Sequence, residues 1–154
     1  MLTVVAKLLN IVGPNTVVFG QKDAQQVFLV QQMVRDLDFP VTVDVVETVR
    51  DTDGLALSSR NARLDPRARS AARALHTALE AAVSAADRGG VDSCVAAAQS
   101  ALMGEPLVKL DYLAVVDPAT FRPVDDGFRG PVRILIAATV DGTRLIDNDA
   151  AYLG

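Results

Sequence analysis

Two short stretches carry side chains suited to holding a negatively charged ligand. The first is "FGQKDAQQ", residues 19–26, where Gly20 ends an apolar run and Lys22 precedes a helical pattern. A glycine at a strand end lets a ligand approach the backbone. In open α/β sheets, ligands bind beyond the carboxyl ends of the strands. Helix N-termini already favour anions through their amides and dipole, so a lysine there makes better sense when an anion completes the site. Asp23 suits the first helical turn and can accept from ribose hydroxyls, and Gln26, one turn on, can bond a polar substrate. The second stretch is "DGLALSSRNARLDP", residues 53–66. Ser58, Ser59 and Arg60 supply two hydroxyls and a fork of N–H donors, the set that a phosphate chain needs. Plain alternatives stand beside both: a solvated strand–helix turn at 19–26, and a serine capping a short helical turn with solvated Arg60 and Arg63.

Elements that would position these residues follow from periodicity. "MLTVVAKLLNIV" has Val4, Val5, Leu8, Leu9 and Val12 at helical spacing, which predicts an amphipathic helix ended by Gly13 and Pro14. Lacking a basic leader and a small-residue cleavage site, and interrupted by Lys7, it does not read as a signal peptide. "TVVFG", 16–20, is a continuous apolar run expected as a strand buried on both faces. A helix follows, with a stripe of Val27, Val30, Val34 and Leu37 flanked by Phe28 and Met33. "FPVTVDVVETV", 39–49, is a second strand. Strand, helix and strand form a βαβ crossover.

After residue 57 the character changes. Asp65 and Pro66 are a helix start, with an N-cap carboxylate and proline at the first position. Alanine-rich helices are expected over 66–88 and 91–103, divided by Gly89 and Gly90. Three strand-like runs follow at 108–117, 131–140 and 143–149, the last two joined at Asp141 and Gly142 by a hairpin turn. The predicted fold is α/β: residues 1–57 as the second half of a Rossmann-like nucleotide-binding sheet, and 58–154 as a small α+β domain. Residues 50–60, with Gly54 and few apolar anchors, are expected to be mobile without ligand. Apolar surface around 17–19 and 41–46 is expected to be uncovered and to drive self-association, giving a homo-oligomer, a dimer.

Composition removes other classes. The chain has 154 residues and a net charge of −4, with an isoelectric point of about 4.9. That argues against nucleic-acid binding, and no run spans a membrane. Cys94 and His76 are the only residues of their types, so no intrachain disulfide and no Cys- or His-rich metal site is expected. His76 reads as a packed or surface helix residue and Cys94 as an inert one. Asp125 and Asp126 read as a polar turn, and Asp147, Asn148 and Asp149, at the end of the last strand, as a capping or turn element.

Together, "FGQKDAQQ" and "VRDTDGLALSSRN", with "TVVAKLLNIVGPNTVVFG" and "RILIAATVDGTRLIDN", resemble the pantoate–β-alanine ligase family over nearly the whole chain. The resemblance implies ATP-dependent, AMP-forming ligation of pantoate and β-alanine through a pantoyl adenylate, with Mg²⁺ accompanying ATP, in the cytoplasm. It implies that Gly20, Gln21, Lys22, Asp23 and Val49 contact ATP, with Leu57, Ser58, Ser59 and Arg60 as the phosphate segment. Lys22 and Arg60 would be catalytic, and Gln26 would contact pantoate. No metal ligand is expected from the chain itself. Departures at Gln21, Ala24 and Leu57, where the family commonly has Glu, Tyr and Met, are mild. The family's His-x-Gly-His-type nucleotide motif is not found here, so the isolated chain, corresponding to the family's C-terminal half, is expected to be inactive. Two other readings are a non-catalytic remnant or interaction module, and another Rossmann nucleotidyltransferase.

Overall fold

The pattern over the first 48 residues resolves, in a computed structural model describing residues 1–154, into one unit, Met1–Thr48; a second unit is Val49–Gly154. In the first, α1 (Leu2–Val12) ends on Gly13, whose φ of 58° is left-handed and whose N–H donates to the Leu9 carbonyl at 2.9 Å. Glycine adopts that conformation without the Cβ penalty of other residues. Strands β1 (Thr16–Gly20) and β2 (Thr42–Val46) pair in parallel, Thr16 opposite Thr42 and Gly20 opposite Val46. Between them runs α2 (Ala24–Asp36), completing the expected βαβ crossover.

Two details of that unit differ from expectation. The buried stripe of α2 is Ala24, Val27, Val30 and Met33. Val34 is half-buried, and Leu37, which lies past the helix end as its C-cap, is 62% exposed. Strand β1 is also not buried on both faces, and neither is β2. Val18 is 59% exposed and Val46 50%; exposed and half-buried residues alternate along β1, so one face of the strand is left uncovered. Leu9 is the one buried residue of α1; Val4, Leu8, Ile11 and Val12 are exposed. The uncovered apolar surface expected near 17–19 and 41–46 is therefore present at Val18, Val45 and Val46.

In the second unit, β3 (Val108–Val116), β4 (Gly130–Val140) and β5 (Thr143–Leu153) form an antiparallel sheet in that order. Asp141 and Gly142, with φ of 45° and 76°, make the two-residue hairpin turn between β4 and β5, the primed geometry that follows strand twist. Helix α3 (Pro66–Ala72) starts on Asp65, whose carboxylate accepts the Ala68 N–H at 2.7 Å. Helix α4 (Ala74–Leu102) follows through a helical Arg73. Ala78, Ala82 and Ala98 are wholly buried with Leu75, Leu79, Ile134, Ile136 and Val140 in one core. Their small side chains let α4 lie close against β4 and β5. Each large core side chain contributes roughly 1.5–3 kcal/mol over its exposed state. Cys94 is buried there, and burial pushes its thiol pKa up.

The expected break at Gly89 and Gly90 is a kink inside α4. Gly90 has φ 67° and ψ −165°, a region essentially reserved for glycine. A Cβ on it would meet the Asp126 carboxylate. That carboxylate accepts the Asp92 N–H at 3.1 Å, so Asp126 caps the helical segment after the kink. Strand β5 extends beyond the expected 149 to Leu153. Asp147 and Asn148 are accordingly buried strand residues, not a cap or turn, because β4 offers them continuous pairing partners in Ile136 and Leu135.

Replacing Gly90 by alanine is expected to cost about 1–3 kcal/mol. Urea unfolding should show only partial recovery in Gly90→Ala/Asp126→Ala, since the positive φ remains. Gly104, which has open space around it, should accept alanine within about 0.5 kcal/mol.

Candidate functional site

Within the first unit, the residues named from sequence gather at the carboxyl end of β1. Gly20 closes the strand, and the Gln21 N–H donates to the Val46 carbonyl at 2.7 Å, locking the turn to the end of β2. Asp23 is the N-cap of α2: its Oδ1 accepts the Gln26 N–H at 3.0 Å. One amide of the helix N-terminus is thus satisfied by the chain's own carboxylate. Gln21, Lys22, Asp23 and Gln26 are half-buried. Gly20 has no positive φ, and a Cβ placed on it would meet nothing within 4 Å. The fold of these residues does not require glycine there. Its absent side chain leaves backbone open at the strand end, where a ligand of a parallel sheet would sit.

Within the second unit, residues 49–57 form a tight strap. Arg50 and Ala56 make an antiparallel bridge. The Asp51 N–H donates to the Leu55 carbonyl and the Leu57 N–H to the Val49 carbonyl, each at 2.9 Å. Arg50 reaches β5 and grips Asp147 with both nitrogens, at 2.6 and 3.1 Å, while Nη1 also donates to the Gly54 carbonyl at 3.2 Å. Burial disfavours the Arg50 charge, but the hydrogen bond and charge of Asp147 outweigh it, so the guanidinium is held above its ordinary pKa. On the other side, Arg69 of α3 bridges Asp51 at 2.7 Å and Asp53 at 3.1 Å. The Thr52 amide, then Arg69, holds the Asp51 carboxyl below its ordinary pKa. Gly54, with φ 85°, turns against the His76 ring, which would overlap any Cβ there. Leu55 and Ala56 are buried. Apolar anchors are few here, as expected, and ion pairs and backbone bonds tie residues 49–57 to β5 and α3. The strap packs as part of the second unit, Val49–Gly154.

Beyond the strap, the serine-arginine run is a single 3-10 turn, Ser59–Arg63. Ser58 caps it, its Oγ accepting the Arg60 N–H at 3.1 Å. That hydroxyl therefore serves first as a cap, as one of the two sequence readings allowed. Ser59 and Arg60 are exposed, and Arg60 Nη1 touches the Arg144 carbonyl of β5 at 3.5 Å. Val49 and Leu57 lie opposite each other through their backbone bond, with exposed side chains. Val49, Leu57, Ser58, Ser59 and Arg60 are thus brought together as one local cluster.

His76 sits in α4, with Nε2 3.4 Å from Glu80 and Nδ1 buried without a hydrogen-bond partner. It packs against the strap and does not enter the cluster. Sequence reasoning missed Arg50 and Asp147 as the pair that sets the strap. The one available signal was a run of acidic and amide residues, 147–149, within a strand pattern.

A match to the pantoate-beta-alanine ligase family covers residues 1–150. The pantothenate synthetase of Leifsonia xyli subsp. xyli is 56% identical over 153 residues, which cover 99% of this chain and 53% of that protein. That of Thermobifida fusca is 51% identical, over 96% of this chain and 51% of its own length. Among solved structures, pantothenate synthetase from Thermus thermophilus matches with a TM-score of 0.90 at 46% identity, covering 96% of this chain and 54% of that one. A pantoate-beta-alanine ligase from Francisella tularensis, complexed with beta-gamma ATP and beta-alanine, matches at 0.67 and 31% identity over 96% of this chain and 48% of that one. The chain spans about half the length of the curated relatives it matches. With a βαβ unit, a three-stranded antiparallel sheet and the family match over 150 of its residues, the chain belongs to the pantoate–β-alanine ligase family.

Proposed function

We propose that these residues serve the ATP-dependent, AMP-forming ligation of pantoate and β-alanine, through a pantoyl adenylate. The observation that carries the reading is Gly20: a glycine with open space around it, at a parallel strand end and one turn from a capped helix start. In the proposed reaction, the pantoate carboxylate attacks the α-phosphorus of ATP and pyrophosphate leaves. The amine of β-alanine then attacks the acyl carbon and AMP leaves. Negative charge builds on the α-phosphate and on the departing pyrophosphate. Lys22 and Arg60 stabilise it as fixed cations and need transfer no proton. Backbone at Gly20, Gln21, Asp23 and Val49 meets the nucleotide. Leu57, Ser58 and Ser59 present the phosphate segment, and the Gln26 amide orients pantoate.

The donor set is ammonium, guanidinium, hydroxyl and amide, which fits phosphate oxygens. No group of three or more His, Cys, Asp or Glu side chains converges on a cation position. Mg²⁺ that accompanies ATP would then be carried mainly by phosphate oxygens and water, and no step is assigned to it. We place the protein in the cytoplasm and read it as a homodimer that takes small-molecule substrates only. No helix is long and apolar enough to cross a membrane.

In a complete ligase containing these residues, Lys22→Ala and Arg60→Ala are each expected to lower the pantoate-dependent rate by about 10²-fold, with unfolding midpoints nearly unchanged. Unaltered kcat in both variants would defeat the assignment. The 154-residue chain by itself is expected to release no AMP from ATP, pantoate and β-alanine at enzymatic rates. Its two phosphate-binding stretches lack the family's histidine motif, and orientation can supply roughly 7–11 kcal/mol of catalysis. Its solution mass is expected to exceed that of a monomer, given exposed Val18, Val45 and Val46. A monomer with ordinary turnover would overturn both statements.

A further inference from the structure

We propose that Asp147 is a positioning residue for the phosphate segment, acting through Arg50 on Arg60; the proposal rests on the function proposed for that segment. Asp147 is a strand residue whose side chain is only 4% exposed. A buried carboxylate in a strand is costly unless it is paired and hydrogen-bonded. Here it is both: Oδ1 accepts the Asn148 N–H at 2.8 Å, and the two oxygens take the Arg50 fork. Two-point contact between planar groups fixes orientation as well as distance.

The consequences travel along the strap through short bonds. Arg50 holds its base through Asp147 and its apex through the Gly54 carbonyl. The bridge between Arg50 and Ala56 and the bond from Leu57 to Val49 fix where the returning limb leaves the strap. Asn61 Nδ2 donates to the Ala56 carbonyl at 3.1 Å, tying the 3-10 turn to the same limb. Arg60 then meets β5 again at the Arg144 carbonyl, three residues before Asp147. Strand β5 thus holds the start of the strap at Asp147 and lies within reach of the exposed arginine beyond it. A neutral residue at 147 would leave Arg50 half-held and let the segment 57–60 shift against β5. Displacement of about 1 Å can cost as much as 10²-fold in rate.

The test is a double-mutant cycle in a complete ligase containing these residues, reading kcat and the KM for ATP. Asp147→Asn is expected to lower kcat/KM for ATP by about tenfold or more, and Asp147→Glu to recover part of that loss. Added to Arg60→Ala, Asp147→Asn should cost little further, because it acts through the group already removed. Leu79→Ala, a core truncation in α4, is expected to lower the melting temperature while leaving kcat/KM unchanged below it. Should Asp147→Asn fail to fold, Arg50→Lys, which keeps the charge and loses the fork, enters the same cycle with the same expectation. Full additivity with Arg60→Ala, or wild-type kcat/KM in Asp147→Asn, overturns the positioning role while leaving the phosphate reading intact. No effect of Arg60→Ala itself sinks the phosphate reading, and this proposal with it.

Discussion

A single ion pair, a buried Asp147 held by a half-buried Arg50, sets the conformation of the segment on which the second unit's candidate chemistry depends. Arg50 and Asp147 are 97 positions apart in sequence, so their meeting is a product of the whole fold of that unit. The pair exists only once β5 is paired with β4 and the strap has returned from Gly54. A desolvated carboxylate repays its burial only with good geometry and full hydrogen bonding, and here each oxygen of Asp147 has a donor. The surface bridges from Arg69 to Asp51 and Asp53 are of another kind. Their groups are a quarter to two-fifths exposed, and they trim the strap more than they hold it.

Around that pair, the second unit is built by making space. Alanines on α4 bring the helix close to the sheet, and two glycines allow it to bend without ending. Gly54 and Gly90 serve the same purpose from opposite sides: each lacks a Cβ where another side chain already lies, the His76 ring in one case and the Asp126 carboxylate in the other. Gly20 is a different case. Nothing of the chain fills the space beside it, and its backbone needs no left-handed turn. Glycines demanded by packing and a glycine left open by it are chemically identical, and only the surrounding atoms tell them apart.

Local physics was readable in the amino-acid order wherever it was self-contained. Asp65 caps its helix as its position before Pro66 suggests, Asp23 lies at a helix start as its N-cap and not inside the first turn, Asp141 and Gly142 turn the hairpin, and the two parallel strands bracket α2. What could not be read were outcomes decided by distant partners. Asp147 looked like a residue of a turn because an acidic run is a poor strand former; pairing with β4 and the charge of Arg50 reverse that preference. The strap looked loose because apolar anchors are few between 50 and 55, yet its anchors are ionic and backbone bonds. Strand β1 looked doubly buried because apolar content reports what a strand can bury, not what packs on its faces. Ser58 was seen both as a phosphate donor and as a cap, and its hydroxyl makes the cap bond.

The kinked helix α4 also carries the chain's only thiol. Cys94 lies one turn past Gly90, fully enclosed in the alanine-lined core, and burial and the nearby Asp126 charge both disfavour its thiolate. A thiol in that state reacts with an electrophile only when the core around it opens. The chain therefore contains its own reporter. The pace at which a small disulfide reagent modifies Cys94 measures the opening of the second unit's core from inside, with no label added and no surface residue altered.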